Sequence, residues 1–126
     1  MEWRSWVLPG GGRPKATLDS LIDPREEDLE RIAELEAAGS KMRLPHPLRN
    51  FIEFPTDKAA RVAMDALAQE GYACQLRSVA EARWLVIAVI QLVPRPGLVT
   101  RMRTTIEGIA GNLDGRYDGW QSPAVY

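Results

Sequence analysis

The run "WLVIAVI" at residues 84–90 constrains the fold more than any other stretch of this chain. It is much too short to cross a bilayer as a helix, which takes about 20 apolar residues. A short, continuous apolar run that ends in turn-forming residues is typical of a strand covered on both faces, and Pro94 and Pro96 end this one. We therefore expect an internal strand of a sheet at residues 84–93.

Helix and strand signatures follow one another along the rest of the chain. The first helix is predicted over residues 24–38, with Asp23 as its cap, Pro24 in its first turn and Gly39 at its end. The other predicted elements are a strand at 48–54, a helix at 57–71 capped by Thr56, a strand at 72–79, a helix at 97–115 and a closing strand at 116–126.

After the first helix, the elements run in the order strand, helix, strand, strand, helix, strand. Two β-α-β halves of this kind form a ferredoxin-like split βαβ sandwich (βαββαβ), an α+β fold with an antiparallel four-stranded sheet. Right-handed crossovers place both helices on one face of that sheet. We expect the spatial order fourth, first, third, second strand, with an extra N-terminal helix and a short N-terminal strand added to the fold.

The length of 126 residues favours one domain with its own hydrophobic core. We assign residues 21–126 to a single ferredoxin-like domain. Residues 1–20 form an N-terminal segment, in which a short strand from Trp3 to Leu8 precedes a flexible glycine-rich linker at residues 10–12. The formal net charge of −1 gives no electrostatic reason to expect a nucleic acid or a membrane surface as partner.

Residues that could carry chemistry are few. His46 is the only histidine and lies between two prolines, so we interpret it as a solvated loop residue, and Cys74 falls on the apolar side of its strand. No cluster has metal-ligand spacing, so we predict no catalytic, cofactor-binding or metal-binding residues and no enzymatic activity. A single cysteine and the lack of a signal-peptide pattern predict a reducing, cytoplasmic location.

The closing strand carries the turn-forming pair Asp-Gly inside "YDGW", residues 117–120. With strict alternation the two aromatic residues, three apart, would fall on opposite faces of the sheet. A bulge at the Asp-Gly pair would return both to one face, since glycine accepts the positive φ that such a bulge can require. We interpret the motif as shaping a strand rather than as a catalytic site. The candidate interaction residues are Tyr117, Asp118, Gly119 and Trp120, with Trp84 at the start of the apolar run.

Two stretches resemble a known family. The run "LEAAGSKMRLPHPLRNFIEFPTDKAARVAMDALAQEGYACQL" and the closing "GRYDGWQSPAV" are similar to the regulator of ribonuclease activity B family, and the resemblance covers residues 24–126. It implies a small cytoplasmic ferredoxin-like protein. The characterised type binds ribonuclease E in its scaffold region and inhibits RNA processing without being an enzyme. The positions that match its terminal motif are Tyr117, Asp118, Gly119 and Trp120, and the resemblance gives them no catalytic role.

Three functional hypotheses follow, and the first is favoured. The chain is a non-catalytic regulator that binds a protein, a ribonuclease of the ribonuclease E type, and so modulates RNA turnover. The alternative is a dimeric interaction or immunity-like module with an unrelated protein partner. RNA binding is the weakest, because the third strand carries one aromatic residue, Trp84, where RNA-recognition sheets stack bases on several.

Overall fold

The computed structural model describes residues 23–126. The predicted N-terminal strand and glycine-rich linker lie outside these residues, and the division between residues 1–20 and 21–126 stays a prediction. None of the described helices is both long and apolar enough to cross a membrane. The elements in chain order are α1 (Glu26–Ala37), β1 (His46–Phe54), α2 (Asp57–Gln69), β2 (Ala73–Ala80), β3 (Arg83–Leu92), α3 (Pro96–Gly111) and β4 (Arg116–Gln121).

The four strands form one sheet in the order β2-β3-β1-β4, and every neighbouring pair is antiparallel. The apolar strand β3 is internal, between β2 and β1, as its composition predicts. The α+β, ferredoxin-like arrangement and its strand order are therefore confirmed, with α1 as the extra N-terminal helix. The expected internal position is thus confirmed, whereas the described helices cover only one of the two faces of β3.

The core lies between the sheet and the helices. In β1 every second side chain, from His46 to Phe54, points to this side and is buried. Helix α2 has alanine at two of its three buried positions, and small side chains let a helix axis come close to a sheet. The largest fully buried apolar side chains of the core are Leu48, Ile52, Phe54, Leu67, Val86, Val99 and Ile106.

The start of α1 differs from the prediction. The helix begins at Glu26, its N-cap is Arg25, and no side chain caps it, so the expected cap at Asp23 is wrong. Three acidic residues in the first turn face the positive end of the helix dipole instead. Helix α2 does have the predicted cap, because Thr56 Oγ1 accepts a hydrogen bond of 3.0 Å from the backbone N–H of Ala59.

His46 is buried, so the interpretation of this residue as a solvated loop residue is wrong. Strand β1 begins there, two residues earlier than predicted, and the imidazole is 0% exposed. Its Nδ1 lies 2.7 Å from the Leu44 carbonyl oxygen, and its Nε2 shares a hydrogen bond with the Ser40 hydroxyl. The Ser40 oxygen also accepts a hydrogen bond of 2.8 Å from the Val125 N–H. A ring with both nitrogens paired can be buried, and here it fastens the C-terminal segment.

Candidate interaction surface

The β-bulge predicted in the closing motif is present. Trp120 lies opposite Asn50 of β1 and Tyr117 opposite Ile52, so three steps along β4 match two steps along β1. Gly119 supplies the positive φ, +95°. Both aromatic side chains consequently point to the helix side of the sheet, towards the core and away from its other face.

The indole N–H of Trp120 donates a hydrogen bond to a buried ion pair. The ring is 2% exposed, and its Nε1 donates a hydrogen bond of 3.0 Å to Oδ1 of Asp28, which is also 2% exposed. Arg103 donates to both oxygens of the same carboxylate, from Nε at 2.8 Å and from Nη2 at 2.7 Å. A buried carboxylate is tolerable when it is both paired and hydrogen-bonded, and this one is both.

Tyr117 lies against the other side of the same arginine. The Arg103 guanidinium carbon is 4.9 Å from the centre of the Tyr117 ring, within the range of a cation–π contact. The Tyr117 hydroxyl donates to Oδ1 of Asn50, whose Nδ2 donates to the Ala88 carbonyl at 3.1 Å. We call this set the buried network; its members are Asp28, Asn50, Arg103, Tyr117 and Trp120.

The pKa values of two members of the buried network, Arg103 and Tyr117, are raised. The hydrogen bonds that Arg103 donates to Asp28 raise the pKa of Arg103 above its usual value, and burial raises the pKa of Tyr117. Both shifts move the pKa further from neutrality, away from the range in which a general acid or base works. The described residues contain no group of three or more metal-ligating side chains. The network joins α1 and α3 to β4 and β1, which is a positioning role.

The opposite side of the sheet, which we call the open face, has a different character. The described helices pack on the other side, so the open face is formed by strand residues alone. Its centre is apolar and its border is polar or charged. Its main side chains are Arg49, Phe51 and Glu53 of β1, Gln75 and Arg77 of β2, Arg83, Leu85, Ile87 and Val89 of β3, and Arg116 and Asp118 of β4.

A row of ion pairs crosses one end of the open face. Glu53 accepts hydrogen bonds from Arg83 of β3 and, at 3.2 Å, from Arg116 of β4. The hydrogen bond from Arg83 is the largest of the effects that lower the pKa of Glu53. Arg116 also pairs with Asp118 at 3.0 Å. Asp118 is thus an exposed member of this row of ion pairs, which extends from β3 to β4.

A model of the family described as regulator of ribonuclease activity B matches residues 25–122. The chain belongs to this family. No curated protein matches the chain significantly. The matched range runs from the first residue before α1 to the residue after β4, so it includes the whole buried network and the whole open face. Membership of the regulator of ribonuclease activity B family implies regulation of ribonuclease activity by protein binding, with a ribonuclease as protein partner.

In this family member the four closing-motif residues do not form one surface. Tyr117 and Trp120 lie in the buried network, whereas Asp118 lies on the open face and Gly119 forms the bulge between them. Trp84 is half-buried on the helix side, opposite Phe54. The structure therefore divides the candidate residues between the two sides of the sheet.

Sequence reasoning missed three members of the buried network. Asn50 and Arg103 each had a usable signal, because each stands among apolar residues on a buried face, as Asn50 does between Leu48 and Ile52. Asp28 had none, since it is one of three consecutive acidic residues at the start of α1. Burial, the bidentate pair with Arg103 and the Trp120 N–H distinguish it from Glu27, which meets Arg103 at the surface at 3.4 Å.

Proposed function

We propose that this protein is a non-catalytic cytoplasmic regulator that binds a ribonuclease of the ribonuclease E type, inhibits it and so modulates RNA turnover. The observation that carries the proposal is the family match over residues 25–122. The character of the described residues supports it. Their buried polar side chains Asp28, Arg103 and Tyr117 lie in a network whose hydrogen bonds are satisfied, which suits a scaffold that presents a surface.

A pre-organised surface is useful to an inhibitor of this kind. Ordering of side chains and loops during association costs free energy that would otherwise appear as affinity. The buried network joins α1 to α3 through Asp28 and Arg103, and both helices to β4 through Trp120 and Tyr117. Strands β1 and β3, which form the centre of the open face, are the two internal strands. The surface is therefore already ordered before the partner binds, which lowers the free-energy cost of association.

Cleavage assays with purified components test the proposal. Ribonuclease E from the native host is given a labelled RNA, and the cleavage rate is measured as this protein is added. We expect the rate to fall and to level off at saturation, and we expect the protein alone to leave the RNA intact. An unrelated ribonuclease acting on the same RNA is the control, because general sequestration of RNA would slow both enzymes. An unchanged ribonuclease E rate in large molar excess of the protein would refute the proposal.

The edge of the sheet favours a second candidate, a dimeric interaction module. Strand β2 is an edge strand of the described sheet, eight residues long and free of proline, and Val79 at its end is 45% exposed. An edge of this kind can add a strand from a second copy or from another protein. Light scattering after size exclusion tests this candidate. A dimer would favour it if Val79→Lys dissociates that dimer and the protein has no effect on ribonuclease E. A strict monomer would eliminate self-association.

A further inference from the structure

The open face combines an apolar centre with an excess of arginine. Ile87 is buried at the middle of β3, and the half-buried side chains of Phe51, Leu85 and Val89 surround it. Apolar patches framed by charge on a soluble protein commonly mark a site of interaction with another protein. What distinguishes this patch is the sign of the charge on its border.

Positive charge dominates that border. The open face has four arginines, at positions 49, 77, 83 and 116, against two carboxylates, Glu53 and Asp118, in a chain whose net charge is −1. Arg83 and Arg116 are already paired with the two carboxylates. Arg49 and Arg77 are exposed, and neither forms an ion pair with any of the described residues. Two guanidinium groups are therefore available to a partner.

The sheet places these two arginines on either side of the apolar centre. Arg49 of β1 lies opposite Val89, whereas Arg77 of β2 lies opposite Leu85, so Ile87 stands between them on β3. Two strand spacings across the sheet and four residues along β3 place their Cα atoms about 16–17 Å apart. In an extended peptide, carboxylates about five residues apart span the same distance.

We propose that the open face binds an acidic segment of a protein, with apolar side chains on Phe51, Leu85 and Val89 and carboxylates on Arg49 and Arg77. This assignment rests on the proposed function, because the segment would belong to the regulated ribonuclease. Arginine suits the role since its planar guanidinium donates two parallel hydrogen bonds to a carboxylate. The apolar contacts supply affinity, and the charges select the partner and speed its approach.

Two other occupants fit the open face less well. A second copy docked through the same face would bring like charges together, since both carboxylates of each copy are already engaged. A single-stranded RNA would find one aromatic side chain to stack on, Phe51, whereas RNA-recognition sheets stack bases on several. An acidic segment of protein satisfies the arginines and the aliphatic centre together.

Charge reversal tests the proposal. The variant Arg49→Glu/Arg77→Glu reverses both free arginines, and its control, Lys58→Glu/Arg61→Glu, makes the same charge change on α2, on the other side of the sheet. Affinity for host ribonuclease E and for overlapping synthetic peptides that cover its sequence is measured by calorimetry and fluorescence anisotropy. We expect the open-face variant to bind at least roughly tenfold more weakly, the control to bind like wild type, and added salt to weaken wild-type binding. Circular dichroism establishes that both variants are folded.

The outcomes separate this assignment from the function on which it rests. If wild type neither binds nor slows the ribonuclease, the proposed function fails and the assignment with it. If wild type inhibits and the open-face variant inhibits equally, the function stands and the assignment is wrong. Peptides that bind but are not acidic would also overturn it. So would tight, salt-dependent binding of a labelled oligouridylate that the reversal abolishes, or a dimer on light scattering that the reversal dissociates.

Discussion

Charged side chains are buried on one face of the sheet and exposed on the other. On the helix side, Asp28 and Arg103 are both nearly inaccessible to solvent and are held by a bidentate pair, an indole N–H and an aromatic ring. On the open face, Glu53 and its two arginines form a row at the surface, and Arg49 and Arg77 have no described ion-pair partner. The first arrangement positions helices, whereas the second leaves charge available for recognition.

The difference shows why burial rather than charge number decides what an ion pair does. A buried charge that loses its partner keeps the full cost of its desolvation, so each member of the buried network depends on the others. Exposed pairs contribute little to stability because water and salt screen them. Substitutions on the helix side should therefore change the free energy of unfolding, and substitutions on the open face should change binding. The predictions below run from the largest expected effect on stability to the smallest.

Arg103→Met should produce the largest loss. It leaves Asp28 as an unpaired buried carboxylate, and breaking a buried pair in this way costs about 3–5 kcal/mol. Urea unfolding at neutral pH measures the loss. The matched control is Arg83→Met on the open face, which removes an exposed partner of Glu53 and should cost far less. Equal losses from the two variants would show that the two faces do not differ as described.

Trp84→Ala should come next, at about 2–3 kcal/mol. Its ring is half-buried on the helix side, so the loss should fall below the 3–5 kcal/mol that is usual, as a rough range, for a fully buried aromatic ring. Thermal and urea unfolding both report it, with Val62→Ala at an exposed site as control. A loss below about 1 kcal/mol would mean that the ring packs on nothing and is free to contact a partner.

Gly119→Val tests the bulge that separates the two faces. At φ +95° a β-branched residue is strained, and the cost should be about 2 kcal/mol. A Cβ atom at Gly119 would meet no atom within 4 Å, so crowding plays no part. Gly108 of α3 also has open space around it, and Gly108→Ala should stabilise the protein by up to about 1 kcal/mol. If Gly119→Val were neutral, the motif would not need its glycine.

Glu53→Gln should make a pH-dependent difference on the open face. Because the arginine partners lower the pKa of Glu53 in the folded state, its ionised form stabilises the fold above the unfolded pKa of about 4.3. That contribution shrinks as the pH falls and disappears below the folded pKa. Unfolding curves of wild type and variant should therefore differ slightly at neutral pH and converge in acid. If the unfolding curves of wild type and variant diverged on acidification, the pKa of Glu53 would be raised in the folded state and not lowered.

Asp118→Asn should have the smallest effect, within about 0.5 kcal/mol. The side chain is exposed, and Arg116 keeps its hydrogen bond to Glu53 when the Asp118 charge is removed. Urea unfolding measures the stability, and the cleavage assay with host ribonuclease E shows whether inhibition survives. A severe loss of stability would show that the row of ion pairs holds the strand, and the two faces would then be less distinct than their burial indicates.

Much of the fold could be predicted because its signals are local. Continuous apolarity marked β3 as internal, and the three-residue spacing of Tyr117 and Trp120 around an Asp-Gly pair predicted the bulge. The cap of α1 and the environment of His46 were predicted wrongly. Both errors lie where distant parts of the chain meet: Arg103 of α3 pairs with Asp28 in the first turn of α1, and Ser40 joins the imidazole to the C-terminal segment.

By itself, the sequence determined the order of the elements, the identity of the internal strand and the family to which the chain belongs. These follow from periodicity, turn residues and a local motif, which are properties of neighbours along the chain. Only the tertiary structure decided that the two aromatic residues of the closing motif point to the core, that Asp28 differs from the acidic residues beside it, and that Arg49 and Arg77 frame one apolar face. Those facts depend on contacts between distant segments, because such contacts determine whether a charged side chain is buried and which partner it has.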